Sequence, residues 1–177
     1  YQAIVKALTE IKDERAVIPL IEKFDKKDGF YLQQSIIYAL GEIANKQSIP
    51  FLVSLFNREY RAGEINGIHF DVRAPYMGAD AAHAVIKTGV AAIPILFESL
   101  KSEDSLARLY SVYALGLFKD SFALEPLHNA LMAEGNPTVK VYIEKAIAEI
   151  KGEDFISPLT EQLKILIKSP KLKYSPG

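Results

Sequence analysis

A proline and an alanine-aliphatic pair recur at fixed spacing along this chain. Pro19 to Leu40, Pro94 to Leu115 and Pro126 to Ile147 each span 21 positions. Returning from the aliphatic residue to the next proline takes 11, 10, 9, 11 and 11 positions, for Leu8 to Pro19, Leu40 to Pro50, Val85 to Pro94, Leu115 to Pro126 and Ile147 to Pro158. Self-similarity of this kind marks stacked supersecondary units that cannot bury their apolar faces alone. Each unit reads as two antiparallel helices, the proline on the first and the aliphatic residue on the second, with apolar residues at helical spacing. Alanine precedes the aliphatic residue every time (Ala7, Ala39, Ala84, Ala114, Ala146), as close approach of neighbouring second helices requires. The expected fold is all-α: a right-handed α-α superhelix of about ten helices, four pairs with a half-pair at each end, over residues 1–168, followed by an irregular basic tail at 169–177.

In chain order, Asp13 reads as the N-cap of a helix running through Pro19 to about Phe24. Lys26 to Gly29 turns the chain into a helix from about Phe30 to Ala44. The second unit opens near Lys46 and closes around Asn57. Its second helix starts near Pro75, which suits a first helical turn, and stops near Gly89. Asp120 repeats the position of Asp13 and opens the fourth unit, which ends near Ile150. A last helix is expected from Glu153 through Pro158 to Lys168. The chain thus begins and ends in mid-repeat, as a segment of a longer array would; a tail folded over the end is the other explanation. It opens on Tyr1 and not Met, which leaves a preceding segment open.

One interval breaks the count. Pro50 to Val85 takes 35 positions, so fourteen residues are inserted, within 58–74. Asn66-Gly67 is a strong two-residue hairpin signal, and Ile68, Phe70 and Val72 alternate with His69, Asp71 and Arg73. Such a turn sets Ile65 against Ile68 and Glu64 against His69. An irregular loop competes, because Ala62 and Gly63 weaken the first strand. An isolated hairpin needs cover for its apolar side, so Ile68 and Phe70, with His69 and Arg73, are expected to contact a partner or a second copy of the chain.

Composition narrows the function. The 177 residues are 49% hydrophobic and 24% charged, which suits one folded domain. The absence of cysteine removes disulfides and thiolate chemistry. Net charge is −1, and since Lys164, Lys168, Lys171 and Lys173 carry the last fourteen residues without an acid, residues 1–163 carry −5. Nucleic-acid binding is therefore not expected. No apolar run is long enough for a membrane span, and a cytoplasmic location is the expectation.

On each second helix the position two before the aliphatic residue turns away from the unit's own core. That column reads Lys6, Tyr38, His83, Tyr113 and Lys145. Further along the same stripe come Asp80, Tyr110 and Tyr142, then Tyr31 and Tyr76. Six of the nine tyrosines fall on this one surface. Tyrosine concentrates at recognition surfaces, though a helical array also lets tyrosines pack on one another. Asp80 and His83, with Glu64, His69 and Asp71 upstream, are the residues that a proton-transfer or metal site would use. No HExxH, nucleophile elbow or glycine-rich phosphate loop accompanies them, so no catalytic residue, metal or cofactor is expected.

The signatures Ile18-Pro19-Leu20-Ile21, Ile49-Pro50-Phe51-Leu52 and Ile93-Pro94-Ile95-Leu96, with Tyr38-Ala39-Leu40-Gly41-Glu42-Ile43 and Tyr113-Ala114-Leu115-Gly116, resemble HEAT repeats of the short-period kind found in phycobilisome lyases. Arg108 and Lys140 match that family's basic residue early in the second helix, and Asp13 and Asp120 its inter-repeat aspartate; Gln33 and Gly78 depart from the basic position. The resemblance implies a HEAT-like solenoid with second helices lining the concave side and a non-enzymatic scaffold binding a protein or peptide there, with self-association through the insertion or chain ends as a further possibility. The alternative it implies is a lyase-like or glycosylase-like enzyme using the Asp80 and His83 region.

Overall fold

The computed structural model describes residues 2–24, 30–58, 64–65, 68–69 and 77–155. The turn expected at Lys26 to Gly29, the helix start at Pro75, the final helix through Pro158 and the basic tail lie outside the described residues. Among those described, nine α-helices account for most of the chain, so the fold is all-α. They are α1 (Gln2–Ile11), α2 (Val17–Lys23), α3 (Phe30–Ile43), α4 (Ile49–Val53), α5 (Met77–Lys87), α6 (Ile93–Ser99), α7 (Ser105–Phe118), α8 (Leu124–Ala133) and α9 (Pro137–Lys151).

Contacts run in series. α1 packs on α3, α3 on α5, α5 on α7 and α7 on α9, while α2, α4, α6 and α8 each pack on the longer helix that follows. The marker residues are where this packing is tightest: Leu40, Val85 and Leu115 are fully buried, and Ala39, Ala84, Ala114 and Ala146 are buried beside them. Burial of each such leucine contributes about 1.5–3 kcal/mol. Ala7 is exposed, because α1 has a described neighbour on one side only. The proline-bearing helices are also coupled to one another, through Phe24 and Phe51 in edge-to-face contact with centroids 5.1 Å apart.

Those shorter helices differ from the sequence expectation at their starts. Each opens on a 3-10 turn (Glu14–Ala16, Lys46–Ser48, Gly89–Ala92, Ser121–Ala123) before the α-helix that carries the proline. Three of these turns are capped: Asp13, Asn45 and Asp120 each accept a hydrogen bond from the backbone N–H two residues on. Asp13 is gripped further by Arg15, whose hydrogen bond holds its carboxyl down at about 2. α7 and α9 are capped by Asp104 and Asn136, each accepting from two backbone N–H groups. Neither cap figured in the sequence expectation, although Asp104-Ser105 and Asn136-Pro137 both carry the signal.

The longer helices end alike. Lys12, Ala44, Gly89, Lys119 and Gly152 all take left-handed backbone angles, with φ of 54°, 56°, 77°, 52° and 72°. In the first four the residue stands four positions after Leu8, Leu40, Val85 and Leu115. This is the αL stop that satisfies the last carbonyls of a helix, and it favours glycine. Ala44 and Lys119 hold it at a steric cost of about 1–2 kcal/mol, only partly offset by the greater freedom glycine would have in the unfolded chain. Ala44→Gly and Lys119→Gly should therefore each raise stability by about 0.5–1 kcal/mol, read as a higher urea midpoint at unchanged slope.

In the inserted stretch, two-residue strands β1 (Glu64–Ile65) and β2 (Ile68–His69) pair antiparallel, Glu64 opposite His69 and Ile65 opposite Ile68. Asn66, Gly67, Phe70, Arg73 and Tyr76 lie outside the described residues.

Candidate functional site

The faces of α1, α3 and α5 turned away from the proline-bearing helices enclose an open groove of about 700 Å³. It is lined from α1 by Val5, Lys6, Thr9 and Glu10, from α3 by residues between Tyr31 and Gly41, and from α5 by Asp80, His83, Ala84 and Lys87. Its floor is low because two small residues meet there. A Cβ on Gly41 would lie 2.8 Å from Ala84 Cα, so α3 and α5 touch backbone to backbone and leave no side chain to fill the space above.

Tyr31 and Tyr38 stand over this floor from one stripe of α3, two turns apart, 68% and 57% exposed. Lys87 reaches back from α5 and sets its ammonium 4.9 Å from the centre of the Tyr38 ring, a cation-π contact. The same ammonium is paired with Glu42, which also holds Lys12 of the α1 terminus at 3.1 Å. Glu42 thereby ties α1, α3 and α5 at their C-terminal ends, where lysines complement the helix dipoles. Hydrogen bonds from Lys87 first, and from Lys12, hold the Glu42 carboxyl below its ordinary range.

Asp80 and His83 line the same groove but are engaged by different neighbours. Asp80 accepts from Gln34 Nε2 of α3 at 3.1 Å. His83 meets Tyr113 of α7 edge to face, with centroids 5.6 Å apart, and its Nε2 lies 3.5 Å from the Tyr113 hydroxyl. Among the described residues no three His, Cys, Asp or Glu side chains cluster closely enough to hold a metal ion.

The other tyrosines of the stripe divide by depth. Tyr142 is 36% exposed on α9, beyond the groove. Tyr113 is half-buried against the core. Tyr110, expected as a contact residue, is a packing residue: its ring tilts against Phe56 with centroids 5.9 Å apart, and its edge occupies the place a Cβ on Gly78 would need, 2.4 Å away. A side chain wedged against α5 and the turn after α4 has little face left for a ligand. Tyr76, Phe70 and Arg73 lie outside the described residues, and Ile68 and His69 are described as strand backbone alone. Sequence reasoning passed over Gln34, Glu42 and Lys87; the i,i+4 spacing of His83 and Lys87 on the stripe was the available signal for the lysine.

A second polar centre sits between the third and fourth units, away from the groove. Arg108, near the start of α7, meets Glu134 fork to fork, Nε to Oε2 at 2.7 Å and Nη2 to Oε1 at 2.8 Å. Its remaining nitrogen donates to the carbonyls of Ser102 and Glu103. Glu134 also accepts from the Asn136 backbone N–H. The Arg108 hydrogen bonds hold the buried Glu134 carboxyl below its ordinary range. This centre joins the loop before α9 to the loop before α7, and its bonds are all internal.

Among the described residues no helix is long and apolar enough to cross a membrane. No protein-family model and no curated protein matches the chain.

Proposed function

We propose that this chain is a non-enzymatic interaction scaffold, a HEAT-like right-handed helical solenoid that binds a protein or peptide along the face formed by α1, α3 and α5. The observation that carries this reading is the groove: about 700 Å³ of open space bordered by two largely exposed tyrosines on one rigid helix. Exposed aromatic area on a preorganised element is what recognition surfaces use. The solenoid part of the reading is supported by the serial packing of the longer helices, their shared left-handed ends and the repeated Asp or Asn caps.

Tyr31→Ala with Tyr38→Ala should remove partner binding and leave the helical signal in circular dichroism intact, since both side chains are mostly in solvent. A set of captured partners that survives the double substitution would overturn this reading.

The insertion is the proposed specificity element, a hairpin flanking the groove and contributing Ile68 and Phe70 with His69 and Arg73. The antiparallel pairing of Glu64 with His69 and Ile65 with Ile68 supports a hairpin turn between them. Replacing residues 61–72 by a short linker should leave the thermal transition of the helices within a few degrees of its original position and weaken partner binding or self-association. Loss of the fold would make the insertion structural packing; unchanged association would make it decoration.

A further inference from the structure

We propose that the groove takes a proline-rich segment in the polyproline II conformation, laid along α3 with two prolines three residues apart on the rings of Tyr31 and Tyr38. This rests on the scaffold reading and names the partner chemistry. Residues seven apart on a helix share a face about 10.5 Å apart along the axis, while three residues of polyproline II advance about 9.3 Å. Tyr31 and Tyr38 therefore repeat at nearly the interval at which such a ligand presents the same side. Prolines are flat, apolar and pre-ordered, and aromatic-lined grooves take them at low entropic cost.

The floor of the groove admits a ligand close to the helices, because α3 and α5 meet at Gly41 and Ala84 backbone to backbone and no side chain stands between a bound chain and them there. Charge agrees as well. The lining carries Lys6 and Lys87 against Glu10 and Asp80, two cations and two anions, and Lys87 is neutralised further by Glu42. A lining of zero net charge suits an uncharged ligand. Proline offers carbonyls and no N–H, and Lys6, which makes no ion pair or hydrogen bond among the described residues, supplies donors to the groove.

The test is a titration of the full chain with N-acetylated, amidated decaproline, followed through tyrosine fluorescence, which the absence of tryptophan leaves uncovered, and through amide chemical shifts. A glycine-serine decamer and a leucine-lysine amphipathic helical peptide are the comparisons. Decaproline should bind saturably and at least about tenfold more tightly than either. Tyr31→Leu and Tyr38→Leu should each weaken it about tenfold, as loss of a hot-spot aromatic does, and Tyr31→Phe, which keeps the ring, should match the parent. Affinity should change less than about twofold between low and moderate salt. No saturable decaproline binding, tighter binding of the helical peptide, or indifference to Tyr31→Leu would each overturn the proposal. Helical-peptide binding that is lost in the tyrosine double substitution would overturn it while leaving the scaffold reading standing. Partner capture unaffected by that double substitution would overturn the scaffold reading itself.

Discussion

Arg108→Ala lowers the stability of this chain by about 3–4 kcal/mol, because it leaves the Glu134 carboxylate buried without its partner. Glu134 has 3% of its side chain exposed and Arg108 20%, so the carboxylate bears most of the desolvation once the fork is broken. The two loop carbonyls that the guanidinium satisfies are released at the same time. Arg108→Lys should recover only part of the loss, since an ammonium cannot reproduce the paired geometry. Urea unfolding of the two variants measures both effects. An Arg108→Ala variant within about 1 kcal/mol of the parent would mean that water replaces the guanidinium at no cost.

The same pair sets an acid limit on stability. The folded-state pKa of Glu134 is depressed, through its hydrogen bonds to Arg108 first. A group of that kind contributes stability that is fully present above its unfolded value of about 4.3 and is lost as pH falls through the lower folded value. The parent should therefore lose more stability than Glu134→Gln between neutral pH and strongly acidic pH, with the divergence beginning below about pH 5. Asp13 and Glu42 add to the acid sensitivity in the same direction, their carboxyls also being held low by cations, but both are solvent-screened and their contribution is small.

Much of the helical order was legible because it is written locally and repeatedly. Counting from proline to aliphatic residue placed Leu40 and Leu115 on the core side of their helices, in the last turn before the left-handed stop, and both are buried. Asp13 and Asp120 were legible as caps because a short polar acceptor ahead of an apolar run has few other uses. The 3-10 openings were not, since the one at Gly89–Ala92 forms with no side-chain cap and so carries no cap signal to read. The Arg108–Glu134 pair was half legible: the arginine sits in the repeat frame, but Glu134 lies 26 residues away, outside the recurring positions. In the groove, periodicity identified the stripe that carries Tyr31, Tyr38, Asp80 and His83 but gave no depth along it. Depth is set by what the neighbouring helix presents, and that was clearest at Gly78, whose missing side chain read as an interruption of a basic column and is in fact the space into which Tyr110 packs.

Tyr110→Ala tests that distinction, and it should be the second most damaging of these substitutions. Removing a fully buried aromatic ring costs about 3–5 kcal/mol, and for a ring only partly buried against the core about 2–3 kcal/mol is expected. Tyr31→Ala, on the same stripe but on α3 and 68% exposed, should stay within about 0.5 kcal/mol of the parent. The converse experiment fills the space from the other side. An added Cβ at Gly78 meets the Tyr110 ring at 2.4 and 2.6 Å and the Phe56 carbonyl oxygen at 2.5 Å. The ring can swing aside, whereas the carbonyl belongs to the backbone and cannot move without shifting the end of the preceding segment. Gly78→Ala should therefore cost about 1–2 kcal/mol net of the better helix propensity of alanine. Combining it with Tyr110→Leu separates the two obstacles: a double variant more stable than the sum of the single losses shows that the ring was the principal clash, and strict additivity assigns the cost to the Phe56 carbonyl. Either outcome keeps Tyr110 a packing residue; only a Tyr110→Ala protein as stable as Tyr31→Ala would return it to the binding surface.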